Sequence, residues 1–351
     1  MRIVLLILDG LADKIAEKPT SLEKARTKNL DWFAARSECG LLWPIKGIAP
    51  ESGEAQFVLL GYPLHLYPGR GIIEALGAGI KIKKDCVYFR VNFARFKGNK
   101  ITDTRAIVPK QAIEKINSFD KRIKIYPTVG YRAVLEVKGI SPNISNTHLG
   151  YIKYKNYSRA VSRKMIKRKA RGKGSNLINN FVGRIEKEFG FTLLLRGASN
   201  KLPRVKKMHD WAFIGDMPVE YGLARLAGMK ILKRKNEIEQ ILNEKRNVYV
   251  QIKGPDKYGH KGDIEGKVKA IEKIDKLLGK LKNINAILCI TSDHATPYTL
   301  KRHSSDPVPI LIYDPRKPIT SKCQKFSERE FSKGFKIEGY QLMKLLIKKA
   351  K

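Results

Sequence analysis

Cysteine is scarce in this sequence, with four residues in 351, and no two of them form a CxxC pair. The four are far apart in the chain, at Cys39, Cys86, Cys289 and Cys323. A disulfide framework is typical of short secreted chains with closely patterned cysteines, which this sequence does not resemble. We therefore expect reduced, structural thiols and a cytoplasmic protein.

Long hydrophobic runs are also missing. The apolar run at the start of the sequence, Ile3 to Leu8, has six residues before Asp9 ends it. A secretory signal needs a longer apolar stretch and a small-residue cleavage site. The run instead fits a buried parallel strand, and we expect no association with a membrane.

Acidic residues are few relative to basic ones, since Asp and Glu total 33 whereas Lys and Arg total 70, a net charge of +37. Such a charge attracts polyanions without selecting among them. Two interpretations stay open, a nucleic-acid-binding protein and a solvated lysine-rich surface. The excess is spread along the chain and no nucleic-acid motif accompanies it, which favours the second. Nucleic-acid binding is then expected only as non-specific electrostatics.

What the sequence does contain is a strand–loop–helix rhythm at both ends. Strand-like and amphipathic segments alternate over 1–80 and again over 210–351, and the pattern predicts an α/β domain with a mainly parallel sheet flanked by helices. One helix is expected over 21–36. The middle, 81–209, has strand-like runs followed by a helix and predicts a separate, inserted α+β domain.

Side chains that bind metals follow the strand-like runs of the two ends. Because the carboxyl ends of parallel strands share one edge of a sheet, these side chains are expected to meet there. Three carboxylates, three imidazoles and one hydroxyl suffice for two divalent cations. The seven residues are Asp9, Ser52, Asp256, His260, Asp293, His294 and His303.

The spacing within this set supports a shared pocket. Asp256 and His260 are four residues apart, so one helical turn places both on the same face. Asp293 and His294 are adjacent after a strand-like run. Two interpretations of Ser52 stay open. A serine before a helix is an ordinary N-cap, whereas a metal-bound serine at a helix N-terminus is an activated nucleophile.

At these positions the sequence resembles a known family in segments that include ILDGLAD, PESGEAQFVLLGY, GRGIIEALGAGI, IKGPDKYGHKGDIEGKVKAIE, TSDHATP and HSSDPVPILIY. These segments are similar to those of the archaeal-type cofactor-independent (2,3-bisphosphoglycerate-independent) phosphoglycerate mutases, within the alkaline phosphatase superfamily. The resemblance covers nearly the whole chain. It implies an alkaline-phosphatase-like, metal-binding core and an inserted substrate-binding or lid domain.

The resemblance also implies a ligand set and a reaction. Asp256, His260 and His303 would hold one ion, and Asp9, Ser52, Asp293 and His294 the other, with Mn²⁺, Mg²⁺ or Zn²⁺ as candidates and no 2,3-bisphosphoglycerate. Ser52 would attack the substrate phosphorus, form a phosphoserine and return the phosphoryl group, interconverting 3-phosphoglycerate and 2-phosphoglycerate.

Residues of the middle segment that fall on family landmarks are candidates for substrate binding, because a guanidinium group matches carboxylate and phosphate geometry. They are Asp103, Arg105, Arg132 and Arg196, followed by Arg90 and Asn92.

The sequence departs from the family pattern over 140–245, where NTHLGY carries His148 in the place of an acid. That departure leaves a metal-dependent phosphatase, or a mutase for another small phosphorylated metabolite, as an alternative. A basic nucleic-acid-associated protein on a degenerate enzyme scaffold is a second alternative.

Overall fold

A computed structural model of the chain describes residues 1–154, 157–160, 165–317 and 319–351. The described residues divide into two compact units. Unit 1 comprises residues 1–64, 206–216 and 227–351, and unit 2 comprises residues 65–205 and 217–226. No helix among the described residues is both long and apolar enough to cross a membrane.

Unit 1 is built on an eight-stranded sheet. Its strands are β1 (Ile3–Leu8), β2 (Glu38–Trp43), β10 (Trp211–Ile214), β11 (Lys230–Ile231), β12 (Asn247–Ile252), β13 (Ile287–Thr291), β14 (Val308–Tyr313) and β15 (Phe335–Glu338). The spatial order is β11-β10-β12-β1-β13-β14-β2-β15. Only β14 runs antiparallel to its neighbours, so the predicted mainly parallel α/β sheet is confirmed.

The central strands β1 and β13 are almost entirely apolar because both faces of the sheet are covered. All six residues of β1 and all five of β13 are buried. Helices pack around them: α1 (Ser21–Lys24), α2 (Lys28–Ala34), α3 (Ser52–Leu59), α8 (Glu237–Asn243), α9 (Pro255–Lys261), α10 (Ile264–Leu278), α11 (Glu328–Phe331) and α12 (Gly339–Ala350). Continuous apolar runs of this kind are typical of parallel strands between helical layers.

The single helix expected over 21–36 was wrong, since the chain forms α1 and α2 with a break between them. Ala25 is extended, with φ −72° and ψ 148°, and ends the first helix. The carboxylate of Asp275 on α10 accepts hydrogen bonds from the backbone amides of Asn29 and Leu30, at 3.0 and 2.7 Å. A side chain distant in sequence therefore accepts hydrogen bonds from the free backbone amides in the first turn of α2. The periodicity of the segment alone does not reveal such a partner.

Unit 2 contains an antiparallel five-stranded sheet with a separate two-stranded ribbon. The strands are β3 (Cys86–Lys97), β4 (Lys100–Asp103), β5 (Ile123–Pro127), β6 (Arg132–Lys138), β7 (Tyr151–Tyr154), β8 (Tyr157–Ala160) and β9 (Phe191–Ser199), of which β7 and β8 form the ribbon. The helices are α4 (Arg70–Gly77), α5 (Lys110–Ile116), α6 (Ser175–Phe189) and α7 (Pro218–Ala227).

The two faces of the unit 2 sheet differ in chemistry. Val87, Phe89 and Val91 of β3 point into an apolar core shared with α5 and α6. Residues of the opposite parity in β3, among them Arg90 and Asn92, point to the other face, where α4 packs. The sheet thus separates a hydrophobic core from a buried polar layer.

Helix α4 lies in unit 2, whereas the sequence places the domain boundary after residue 80. The helix belongs to unit 2 because it packs closely on β3. A Cβ added to Gly71 would lie 2.0 Å from the carbonyl oxygen of Tyr88 on that strand. Glycine therefore lets the helix rest directly on the strand.

Candidate metal centre

Three parallel strands of unit 1 bring distant sequence segments to one edge of the sheet. In the register of β1, Leu8 pairs with Ile252 of β12 and Ile7 pairs with Thr291 of β13. The residues that follow these strands, Asp9 among them, therefore emerge at the same carboxyl edge. The amide of Asp256 donates to the carbonyl of Asp9 at 3.1 Å, which ties two of these segments together.

The structure gathers the candidate ligands into two groups. Within each group the nitrogen or oxygen atoms that could bind a cation lie within 4.8 Å of one another. The first group is Asp256, His260 and His303, and the second is Asp9, Asp293 and His294.

The first group is compact. His260 Nε2 lies 3.2 Å from His303 Nε2, and each nitrogen lies 3.4 Å from Asp256 Oδ1. A tetrahedral cation with bonds of about 2.1 Å needs donor atoms about 3.4 Å apart. The donor spacing therefore fits one small divalent ion.

The second group surrounds His294 Nε2. That nitrogen lies 3.5 Å from Asp9 Oδ1, 3.6 Å from Asp293 Oδ1 and 3.3 Å from the hydroxyl oxygen of Ser52. Asp293 is fully buried, and its Oδ1 makes no hydrogen bond within the described residues. A buried carboxylate oxygen of this kind is the ligand that a divalent cation would satisfy.

Buried charges around the pocket set the protonation of the donors. Burial lowers the pKa of His294 to about 3, so its imidazole is neutral near neutral pH. Desolvation alone would raise the pKa of Asp256, but His260 and His303 hold it well below its usual value. The pocket therefore offers a neutral imidazole at His294 and an ionised carboxylate at Asp256, the forms that bind metals.

Ser52 is the first residue of α3 and not its N-cap. Glu51 occupies the cap position, with its carboxylate accepting from the Glu54 amide while Glu54 accepts from the Glu51 amide at 2.9 Å. The N-cap reading of Ser52 was wrong, because this reciprocal pair of glutamates already satisfies the free amides. The Ser52 hydroxyl lies instead beside the second donor group.

Sequence reasoning missed three side chains that orient the pocket. Lys253 Nζ lies 3.1 Å from Asp9 Oδ2, and Gln56 Nε2 donates to Asp293 Oδ2 at 2.9 Å. Thr296 donates to Asp256. Lys253 belongs to the same segment as Asp256, and Gln56 lies one helical turn after Ser52. Each of the three lies within four residues of a predicted ligand in the sequence, and that closeness could have identified them.

Three of the arginine candidates, Arg90, Arg132 and Arg196, lie in unit 2 on the polar face of its sheet. The register pairs Arg90 with Arg196 and Asn92 with Arg132. Arg90 and Arg196 are buried, and Asn92 Nδ2 donates to the carbonyl of Thr104 at 3.0 Å. Strand pairing therefore brings four of the six candidates into one layer.

The two remaining candidates lie outside that buried layer. Asp103 and Arg105 are both exposed, and Asp103 Oδ1 accepts from the Arg105 amide at 2.8 Å. The Arg105 guanidinium lies 5.6 Å from the ring centre of Tyr131, a ring that Arg132 also approaches, to 5.3 Å. Tyr131 thus links Arg105 to the layer through cation–π contacts.

Helix α4 adds two residues that sequence reasoning did not nominate. Glu74 Oε1 lies 2.5 Å from Arg70 Nε and 3.8 Å from Arg90 Nε. Burial would raise the pKa of Glu74, but Arg70, Arg90 and Arg132 hold it below its usual value. His148 belongs to this environment too, since burial first and then Arg196 lower the pKa of its imidazole. Arg70, Arg90 and Arg132 thus act together on one buried carboxylate in unit 2.

Comparison with known proteins agrees with this chemistry. The family model described as the metalloenzyme superfamily matches residues 1–349. A 2,3-bisphosphoglycerate-independent phosphoglycerate mutase from Sulfolobus acidocaldarius is 31% identical over 400 residues, which span 99% of this chain and 96% of the relative.

Two solved structures share the fold. A protein from Pyrococcus horikoshii aligns with a TM-score of 0.78 at 25% identity, covering 99% of this chain and 96% of its own. The cofactor-independent phosphoglycerate mutase of Thermoplasma acidophilum aligns with a TM-score of 0.62 at 27% identity, covering 100% of both chains.

Proposed function

This chain belongs to the metalloenzyme superfamily, among the 2,3-bisphosphoglycerate-independent phosphoglycerate mutases, and from that premise we propose that it interconverts 3-phosphoglycerate and 2-phosphoglycerate. The family resemblance predicted from the sequence is thereby confirmed. Dependence on divalent metal follows from the family. The reaction is an isomerisation in which one phosphoryl group moves between two hydroxyls of glycerate.

The observation that carries the proposal is the placement of one serine hydroxyl against two groups of metal donors. Ser52 Oγ lies 3.3 Å from His294 Nε2, within the pocket that Asp9 and Asp293 complete. We assign two divalent ions to the site, one held by Asp256, His260 and His303, the other by Asp9, Ser52, Asp293 and His294. Bound there, such ions neutralise phosphoryl charge and favour the ionised form of a serine hydroxyl.

The residues of the chain then have distinct roles. The Ser52 hydroxyl loses its proton as Oγ bonds to the substrate phosphorus, the ester bond to glycerate breaks, and the glycerate oxygen takes up a proton. Ser52 lies at the N-terminus of α3, where the helix dipole stabilises a phosphoryl dianion. The phosphoryl group then passes to the other glycerate hydroxyl, which loses its proton as the bond from Ser52 Oγ to phosphorus breaks, and Ser52 Oγ regains a proton.

We assign anion binding to the unit 2 layer of Arg90, Asn92, Arg132 and Arg196, with Asp103 and Arg105 beside it. Its guanidinium groups match the geometry of a ligand that carries both a carboxylate and a phosphate. This assignment makes unit 2 the substrate-binding domain and unit 1 the metal-bearing core. The four free, buried cysteines and a glycolytic substrate are consistent with a cytoplasmic enzyme.

A single-residue substitution tests the proposal. We expect Ser52→Ala to abolish formation of 2-phosphoglycerate in an enolase-coupled assay and to remove the phosphoserine detected by mass spectrometry. Stability should change little, because Glu51 rather than Ser52 caps α3. Ser175→Ala is the matched control, since Ser175 is likewise the first residue of a helix, α6. Chelation of divalent metal should likewise abolish activity.

Two results would contradict the proposal. Mutase activity that survives Ser52→Ala would exclude the phosphoserine route. Release of inorganic phosphate without 2-phosphoglycerate would instead identify a metal-dependent phosphatase, the alternative raised by the departures over 140–245.

A further inference from the structure

The three histidines of the metal centre are oriented by the partners of their other ring nitrogens. His303 Nδ1 lies 2.6 Å from the carbonyl oxygen of Pro50, and His260 Nδ1 lies 3.2 Å from that of Lys301. A carbonyl only accepts hydrogen bonds, so each Nδ1 carries the proton. Each Nε2 then presents its lone pair to the pocket, as metal-binding histidines do.

His294 differs because the partner of its Nδ1 is a side chain. Thr296 Oγ1 lies 3.1 Å from His294 Nδ1 and donates its proton to Asp256 Oδ1 at 2.8 Å. A hydroxyl has one proton, so towards His294 it acts as the acceptor. His294 Nδ1 must therefore be the protonated nitrogen. This single hydroxyl touches one residue of each donor group.

The backbone of Thr296 is held by a buried lysine. Lys267 Nζ donates to the carbonyl of Thr296 at 3.0 Å, to that of Ala12 at 3.1 Å and to Asp13 Oδ1 at 2.6 Å. All three ammonium protons are thus used, and the side chain is fully buried. The Thr296 amide in turn donates to the Ala12 carbonyl at 2.9 Å.

Close packing leaves the Thr296 side chain little room to turn. A Cβ added to Gly10 would lie 2.7 Å from Thr296 Oγ1, and one added to Gly259 would lie 2.4 Å from the Thr296 carbonyl oxygen. Gly10 also has a φ of +59°, which favours glycine. Two glycines and a lysine therefore fix where the hydroxyl sits.

We propose that Thr296 is a positioning residue that couples the two metal sites, with Lys267 holding it in place. Its hydroxyl sets the tautomer of His294 and the orientation of the Asp256 carboxylate at the same time. Loss of the hydroxyl should therefore weaken both sites, although Thr296 itself binds neither ion. This inference rests on the proposed pair of metal sites.

Binding of Mn²⁺ to metal-free protein, followed by isothermal titration calorimetry, tests the coupling without reference to catalysis. Thr296→Val keeps the shape of the side chain and removes the hydroxyl, and we expect both dissociation constants to rise about 10- to 100-fold. Thr296→Ser keeps the hydroxyl and should bind within about threefold of the wild type, well short of that loss.

Thr291→Val is the matched control. Thr291 is also fully buried, and it donates one hydrogen bond, at 2.9 Å, to the carbonyl of Pro309. Its loss should lower thermal stability and leave Mn²⁺ affinity unchanged. Unchanged affinity in Thr296→Val would overturn the coupling, as would an equal loss in Thr296→Ser or in Thr291→Val.

A measurement on the wild type keeps the inference testable should Thr296→Val fail to fold. Long-range ¹H–¹⁵N correlation spectra report which imidazole nitrogen is protonated, and His294→Gln identifies the His294 signals. We expect the proton on Nδ1 in metal-free protein, and a proton on Nε2 would overturn the inference. Wild-type protein that binds no Mn²⁺ would instead refute the proposed metal sites themselves.

Discussion

At the scale of single residues, the Ser52 hydroxyl is available to the site because another residue caps its helix. Ser52 begins α3, yet the reciprocal pair Glu51 and Glu54 caps that helix. The Ser52 hydroxyl can therefore face the donors that surround His294 Nε2. A glutamate cap places two carboxylates at the start of the helix, where the dipole favours negative charge.

Glu74 is the carboxylate partner within the buried arginine layer. We expect Glu74→Gln to lower the free energy of unfolding by about 3–5 kcal/mol, because Arg70 and Arg90 lose their counter-charge inside the protein. Added phosphate should stabilise the variant more than the wild type, since a bound anion replaces the missing charge. Chemical denaturation with and without phosphate measures both effects.

The control for this prediction is Glu188→Gln. Glu188 pairs with Arg184 at 2.7 Å on a partly exposed surface of unit 2, where an ion pair contributes little. A Glu74→Gln protein as stable as the wild type in phosphate-free buffer would refute the proposed role of Glu74.

Glu328 makes stability depend on pH. It is buried and accepts from the Asp13 amide and the Thr20 hydroxyl, both at 2.8 Å. Burial raises its pKa from 4.5 to about 7. The folded state thus holds the proton more tightly than the unfolded chain. The resulting stabilisation is complete below pH 4.5 and is lost as pH rises through about 7.

We expect this loss to amount to about 3 kcal/mol in the wild type and to be absent in Glu328→Gln, which cannot ionise. The free energy of unfolding of both proteins, measured near pH 5 and near pH 8, checks the difference. An equal pH dependence in the two proteins would show that Glu328 does not titrate in this range.

At the scale of elements, two helices of unit 2 approach each other through glycines. A Cβ added to Gly77 of α4 would lie 1.6 Å from the carbonyl oxygen of Pro218, which begins α7. Reciprocally, a Cβ added to Gly222 of α7 would lie 2.0 Å from the carbonyl oxygen of Ile73 on α4. The backbones are in contact, so neither helix can accept a side chain there without moving.

Gly77→Ala should therefore destabilise the protein by about 3 kcal/mol or more, because overpacking against backbone cannot be relieved by a rotamer change. Gly183→Ala in α6 is the matched control, since an added Cβ there meets no atom of the described residues within 4 Å. It should stabilise the protein by about 0.5–1 kcal/mol, as alanine is the better helix former. Thermal denaturation separates the two, and equal effects would contradict the packing argument.

At the scale of the whole molecule, the net charge of +37 comes from basic residues that are spread along the chain. We expect RNA to bind weakly and non-specifically, with affinity falling about 10³- to 10⁵-fold between 50 and 200 mM salt if six to ten phosphates are contacted. Fluorescence anisotropy of a labelled oligonucleotide at both salt concentrations tests this. Tight binding that persists at 200 mM salt would instead favour a dedicated nucleic-acid function.

The sequence by itself determined the mainly parallel α/β sheet and the candidate ligands, because the length and polarity of each strand-like run are local properties. It also indicated the family, because long motifs such as IKGPDKYGH resemble those of the family and occur in the same order. Only the tertiary structure showed that Glu74 lies beside Arg90 and that Glu51 rather than Ser52 caps α3. It also showed that Thr296 lies between Asp256 and His294. These arrangements arise from strand register and close packing between segments distant in the chain. No pattern within one segment encodes such contacts, because each partner's position depends on the fold of the other.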